Sequence, residues 1–156
     1  MTRVLGIDPG FDRLGMAILE DQTLLFSACI ETDRQASHAK RLAEIGQGVR
    51  DVINKWQPEE LAIEKLFFNQ NTTNALKVAE ARGVILYEAA LAEMPIFEYS
   101  PQAIKLAVTG YGKADKRSVE GMVRKLIRLS SKKMLDDEFD AVALCITHLA
   151  SRKGIW

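Results

Sequence analysis

Residues 3–20 read RVLGIDPGFDRLGMAILE, two apolar runs separated by a turn. Residues 4–7 predict a short buried strand, which the turn residues Pro9 and Gly10 end at once. Asp8 is therefore a single carboxylate at the end of a buried strand. A charge in that position costs free energy unless a partner pairs with it or a function requires it. The stretch thus predicts the first strand of a sheet and a candidate functional residue.

The rest of the chain predicts an α/β protein. Apolar runs at 14–19 and 24–30 follow the first strand at short spacing, which favours an antiparallel meander. Later segments predict a helix over 37–56, strands at 61–64 and 96–99, and helices over about 73–93, 101–108, 116–129 and 138–151. We expect Asp115 to cap the helix that runs through Leu129. The order β-β-β-α-β-α-β-α-α-α predicts a mixed five-stranded sheet flanked by helices.

Composition is that of an ordinary globular protein. With 156 residues, 47% hydrophobic and 27% charged, the chain is expected to form one domain over residues 1–156. No apolar run approaches the roughly 20 residues that a membrane span requires, and the N-terminus lacks a signal pattern. Cys29 and Cys145 lie in apolar runs without metal-ligand spacing, which favours buried thiols in a cytoplasmic protein.

The charge distribution is uneven although the formal net charge is zero. Residues 105–133 carry nine basic and two acidic side chains, whereas residues 1–104 carry ten basic and fifteen acidic ones. A solvated helix face would explain a basic segment. A basic segment opposite a carboxylate cluster is also what a metal-dependent enzyme acting on phosphodiesters needs.

Four carboxylates are candidates for such a cluster. Glu64 ends the fourth predicted strand as Asp8 ends the first, and pairing of these strands would make the two neighbours. Asp137 and Asp140 are three residues apart and share one face of the last helix. One residue turns a helical position by about 100°, so the spacing selects Asp137 over Asp136.

A cluster of four carboxylates predicts a metal. Without a cation the carboxylates would repel and take up protons, whereas Mg²⁺ prefers oxygen ligands. Two such ions about 4 Å apart would hold the attacking water and the leaving oxygen of a phosphodiester displacement. The other polar residues are interpreted as structural or solvated: Asp136 and Glu138 as solvated or helix-capping groups, Asp12 and Glu60 as surface charges, and His148 as structural.

Four motifs resemble the RuvC family of Holliday-junction resolvases, bacterial endonucleases with an RNase H-like fold. They are GIDPG at 6–10, AIEKLFFNQNTTNALKVAEARGVILYEA at 62–89, FEYSPQAIKLAVTGYGKADK at 97–116 and DDEFDAVALCITH at 136–148. GIDPG alone also resembles the phosphate loop of actin-like kinases, but those folds need two duplicated domains and a longer chain. The second and third motifs are specific, and the resemblance covers nearly the whole chain.

The resemblance implies a catalytic, Mg²⁺-binding set of Asp8, Glu64, Asp137 and Asp140, with Mn²⁺ as a substitute. It implies that Phe67 opens base pairs at the junction centre, where core packing is the alternative, and that Lys105 and Lys116 act in catalysis and DNA contact. From the residues themselves, Tyr111 and Lys113 lie in a glycine-flanked loop able to approach DNA. Glu80 and Glu138 depart from the family pattern.

The implied substrate is four-way junction DNA, cut symmetrically by a homodimer. The helix beginning near Thr73 is the family's dimer-forming element, and its interface would draw on residues between Leu76 and Tyr87. The branch-migration proteins RuvA and RuvB are candidate partners. The alternatives are a junction-binding protein without cleavage and a phosphotransferase of the actin-like superfamily.

Overall fold

The computed structural model describes residues 1–66, 72–127, 129 and 133–153, with the side chains of all of these except 72 and 73. Five strands are described: β1 (Arg3–Asp8), β2 (Arg13–Glu20), β3 (Thr23–Glu31), β4 (Glu60–Glu64) and β5 (Ile96–Tyr99). Five helices are described: α1 (His38–Trp56), α2 (Thr72–Leu91), α3 (Pro101–Thr109), α4 (Lys116–Leu126) and α5 (Asp136–Arg152). The predicted element order and the α/β class are confirmed.

The strands form one mixed sheet in the order β3-β2-β1-β4-β5. β1, β2 and β3 are antiparallel neighbours, as the short turns between them predict. β1 pairs in parallel with β4, and β4 with β5; α1 leads from β3 into β4, and α2 leads from β4 into β5. The central strand β1 is therefore flanked by β2 and β4, and the carboxyl ends of β1 and β4 lie side by side.

The strand side chains alternate between two hydrophobic cores. Leu5 and Ile7 of β1 face one core, which helices α1 and α2 cover. Val4 of the same strand faces the other core, beneath α3, α4 and α5. Because the side-chain period of a strand is two, Gly6 and Asp8 share the α5 face with Val4.

Helix α5 lies directly on the backbone of β1 and β2. A Cβ atom built on Gly6 would come within 2.2 Å of the carbonyl oxygen of Ala141, and one on Gly15 within 2.0 Å of that of Asp137. The absence of side chains at these two glycines thus allows the close approach. The first two turns of α5 are held at a fixed height above the sheet.

Three helix boundaries differ from the predicted ones by two residues or more. α2 ends at Leu91, two residues earlier than predicted. α5 begins at Asp136, two residues earlier than predicted, because the carboxylate of Glu138 accepts a hydrogen bond from the backbone N–H of Leu135 at 2.9 Å. α4 is capped by Asp115 as predicted, but it ends at Leu126 rather than Leu129, since Ile127 adopts an extended backbone. None of the described helices is long and apolar enough to cross a membrane.

We predict that Gly15→Ala destabilises the protein by about 1–3 kcal/mol or more. The new methyl group would meet backbone atoms that cannot move aside without shifting α5. Gly121→Ala is the matched control. No atom lies within 4 Å of the Cβ position there, and alanine favours the helix by about 0.5–1 kcal/mol. Urea unfolding of both variants measures the difference, and equal stabilities would contradict the close approach of α5.

Candidate active site

Two carboxylates reach the site from neighbouring parallel strands. Asp8 is the last residue of β1 and Glu64 the last of β4, and the preceding residues Ile7 and Ile63 are register partners. Asp8 shares the α5 face with Gly6, and Glu64 shares it with Ala62, since each pair is two residues apart. The pairing of β1 with β4 thus brings the two predicted acids to one edge of the sheet.

Two further carboxylates come from the first turns of α5. One carboxylate oxygen from each of Asp8, Asp137 and Asp140 lies within 4.8 Å of the other two. Glu64 is not part of this trio and flanks it. Together with Asp140, Lys105 and Lys116, it lines a cavity of about 290 Å³ between α3, α4 and α5.

The arrangement disfavours negative charge. The pKa of Asp8 is raised from 3.8 to about 8; burial is the largest cause, and the charges of Asp140, Glu64 and Asp137 contribute in that order. Burial, followed by the charge of Asp140, raises the pKa of Glu64. Burial also raises the pKa of Asp140, although the nearby ammonium group of Lys116 partly offsets this. The protein alone does not balance the charge of this cluster.

The donor set fits a hard divalent cation. All the groups that converge are carboxylates, whose oxygen atoms are the preferred ligands of such ions. A cation among Asp8, Asp137 and Asp140 would remove the mutual repulsion that raises the pKa of Asp8. The geometry and the electrostatics of the trio are therefore those of a candidate metal site.

The lysines predicted to contact DNA lie beside the carboxylates. The Nζ atom of Lys116 is 3.8 Å from Asp140 and 3.5 Å from Asp136. Lys105 lines the cavity of Glu64 and also a shallow neighbouring cavity, which Lys113 lines as well. These lysines thus form a continuous basic surface on the Glu64 side of the site.

Of the two aromatic residues predicted to bind DNA, the structure describes only Tyr111. Tyr111 projects from the loop between α3 and α4 with 61% of its surface exposed. Phe67 lies outside the described residues, and its role in opening base pairs stays a prediction.

Sequence reasoning missed two side chains that touch Asp137. The guanidinium of Arg13 is 2.7 Å from the Asp137 carboxylate, and the thiol of Cys29 lies 3.8 Å from the same oxygen atom. Gly15, on which Asp137 rests, is the register partner of Cys29 and lies two residues after Arg13. Strand periodicity could have placed Arg13 on this face, but the neighbour above it is set by the packing of α5. Cys29 is half-buried, whereas Cys145 is fully buried as predicted.

The residues interpreted as structural or solvated agree with that interpretation only in part. Asp136 is exposed and pairs with Lys116, in accord with a solvated group. Glu138 caps α5, but it is buried and also accepts a hydrogen bond from Ser27, so a solvated role is wrong. Glu60 is not a free surface charge either, because it lies 2.6 Å from the buried His148.

Nearly the whole chain matches known proteins. Residues 4–148 match the family model described as crossover junction endodeoxyribonuclease RuvC. The protein of that name from Moorella thermoacetica is 42% identical over 149 residues, which cover 93% of this chain and 89% of that protein. The protein of that name from Roseiflexus is 42% identical over 151 residues, with 94% and 90% covered.

Solved structures agree with the sequence comparison. The structure of T. thermophilus RuvC in complex with a Holliday junction substrate has a TM-score of 0.92 at 32% identity, covering 99% of this chain and 97% of that one. The yeast mitochondrial Holliday junction resolvase has a TM-score of 0.66 at 11% identity, with 94% and 78% covered, and shares the fold. The predicted RNase H-like architecture is confirmed, and the chain belongs to the RuvC family of crossover junction endodeoxyribonucleases.

Proposed function

We propose that this chain is a Mg²⁺-dependent endonuclease that resolves four-way DNA junctions by paired, symmetric nicks during recombination and repair. The observation that carries the proposal is the convergence of Asp8, Asp137 and Asp140 at one sheet edge, with Glu64 and Lys116 beside them. Membership of the RuvC family supports the reaction, and the junction bound to the T. thermophilus relative supports the substrate.

The trio and Glu64 would hold the metal, with two Mg²⁺ ions per site and Mn²⁺ as a substitute. When bound, such ions supply positive charge that stabilises an in-line phosphodiester displacement. Lys116 adds a fixed positive charge next to Asp140, where the charge of the phosphodiester develops. Lys105, Lys113 and Tyr111 hold the strand along the Glu64 side.

A homodimer supplies the second cut. A four-way junction is close to two-fold symmetric, so two identical sites related by a two-fold axis give two matching nicks. On α2, Ala81 and Ile85 are buried against the chain's own core, whereas Leu76, Tyr87 and Leu91 are more than half exposed. We assign the dimer contact to the exposed apolar residues. Docking of RuvA and RuvB stays a prediction.

One assay separates the proposal from its alternatives. Purified protein is titrated with Mg²⁺ on a synthetic four-way junction and on a linear duplex of the same sequence, and ATP hydrolysis is measured in parallel. Metal-dependent cutting of the junction alone supports a resolvase. Tight binding without cutting would indicate a junction-binding protein, and ATP turnover would indicate a phosphotransferase.

We predict that Asp8→Asn, Glu64→Gln and Asp140→Asn each abolish junction cutting and leave junction binding largely intact, because phosphate contacts come from lysine and arginine. Gel shifts in Ca²⁺ beside cleavage assays in Mg²⁺ measure the two properties. Asp21→Asn is the control, since this exposed residue lies in the β2–β3 turn at the opposite end of the sheet. Near-normal cutting by any of the three variants would remove that residue from the site.

We predict that Asp137→Asn is inactive and Asp136→Asn active. The side chain of Asp136 is 68% exposed and pairs only with Lys116 among the described residues, whereas Asp137 lies in the carboxylate trio. Single-turnover cleavage rates of the two variants measure the contrast. The reverse result would show that the first turn of α5 presents the wrong aspartate to the metal.

We predict that metal-free protein loses stability as the pH rises from about 4 to about 8. The pKa of Asp8 is about 8 in the folded protein, whereas an aspartate in the unfolded chain has the ordinary value of 3.8. Over this pH range the unfolded chain therefore releases a proton that the folded chain keeps. The loss should reach a few kcal/mol, at about 1.4 kcal/mol per pKa unit. Mg²⁺ should reverse it most strongly at high pH, because the metal needs the ionised carboxylate.

Melting temperatures measured across this pH range, in EDTA and in Mg²⁺, test the prediction. Asp8→Asn is the matched control, since its amide does not titrate. The slope of stability against pH should be shallower in this variant than in the wild-type protein. Identical slopes would show that Asp8 titrates normally in the fold.

A further inference from the structure

A second cavity lies on the β2 side of Asp8, whereas Glu64 lies on the β4 side. It has a volume of about 280 Å³ and is formed by the turn after β1 and the first half of α2. Its polar lining includes Arg13, Asn74 and Lys77, none of which belongs to the basic surface around Lys116.

Arg13 connects this cavity to the carboxylate trio. One of its terminal nitrogen atoms contacts Asp137 at 2.7 Å, and 43% of the side chain is exposed. A guanidinium has five N–H donors in a rigid fork, so the contact with Asp137 leaves donors for a second anion. A group held by Arg13 in this cavity would therefore lie next to the reacting centre.

Lys77 gives the cavity a second positive charge. Its side chain is exposed, and its Nζ atom lies 5.5 Å from the centre of the Phe11 ring. Lys77 forms no ion pair with any carboxylate among the residues that the structure describes. The ring attracts the ammonium group without neutralising it, so the charge stays available to a ligand.

Phe11 provides a fixed floor for this arrangement. The ring is buried, stacks on the ring of His38 with centroids 4.8 Å apart, and contacts the guanidinium of Arg41 at 4.2 Å. Asp12 is the one carboxylate among the described lining residues. It forms ion pairs with Arg41 and, at 4.0 Å, with Arg34. The negative charge of Asp12 is thus balanced from outside the cavity, and the lining is net cationic.

We infer that this cavity binds a backbone phosphate of the DNA, adjacent to the phosphodiester that is cut. Arg13 and Lys77 are the charged donors, and the amide of Asn74 is the neutral donor. The inference rests on the proposed nuclease function and adds a phosphate contact on the side of the site opposite Lys105 and Lys116. The scissile phosphodiester is then held between two cationic surfaces.

The test compares Lys77→Met with Lys55→Met. The Nζ atom of Lys55 also lies 5.5 Å from an aromatic ring, that of Trp56, but at the opposite end of the sheet, so both variants lose the same charge and the same kind of ring contact. Binding to a synthetic junction in Ca²⁺ is measured by fluorescence anisotropy between about 50 and 200 mM salt. Lys77→Met should bind about three- to tenfold more weakly at the low-salt end, with the slope of log affinity against log salt reduced by about 0.9.

Two further variants complete the test. Lys77→Arg keeps the charge and should restore the wild-type slope, and Asn74→Asp adds an opposing charge and should weaken binding about as much as Lys77→Met. A salt slope in Lys77→Met equal to that in Lys55→Met overturns the phosphate site, and so does weaker binding with an unchanged slope. Failure of the wild-type protein to cut junctions overturns the proposed function, whereas normal wild-type cutting with no effect of Lys77→Met overturns the phosphate site alone.

Discussion

The close contact of α5 with the backbone of β1 and β2 determines where the two aspartates of the helix lie relative to the carboxylates at the strand ends. Gly6 and Gly15 leave room for helix backbone where any side chain would collide with it. The first two turns of α5 can then place Asp137 and Asp140 over the end of β1, within reach of Asp8. A side chain at either glycine would push the helix away from the sheet and move Asp137 and Asp140 relative to Asp8, so the geometry of the carboxylate trio depends on these two glycines.

The other end of α5 is fixed by polar contacts. His148 is buried and contacts the hydroxyl of Tyr99 on β5 at 2.7 Å and the carboxylate of Glu60 on β4 at 2.6 Å. Arg152 reaches the same Glu60 carboxylate at 3.3 Å. A buried network of this kind is stable only when its members are all paired, so it favours one orientation of the helix. Backbone contact near the N-terminus and this network near the C-terminus together orient α5 over β1, β2, β4 and β5.

The carboxylate cluster destabilises the folded protein when its members are ionised. Burial and the neighbouring carboxylates raise the pKa of Asp8 to about 8, which means that the folded chain resists the charged state that a metal requires. Positive charge is nevertheless close on both sides, from Lys116 beside Asp140 and from Arg13 beside Asp137. A cation among the carboxylates would lower the pKa of Asp8, and the basic side chains beside them give this region positive charge although the net charge of the chain is zero.

The sequence by itself determined the element order, the strand ends and the spacing of the acids. The apolar run at residues 4–7 marked β1 as a buried strand, and Pro9-Gly10 ended the strand directly after Asp8. The three-residue spacing of Asp137 and Asp140 put them on one helix face. The catalytic roles of these acids stay predictions. Only the tertiary structure decided that α5 lies on Gly6 and Gly15, that Arg13 contacts Asp137, and that Glu60 is paired with His148. The physical reason is the sequence separation of the residues involved. Turns, caps and periodicity act between residues a few positions apart. These contacts join segments separated by about half the chain or more, and only packing of the whole sheet brings them together.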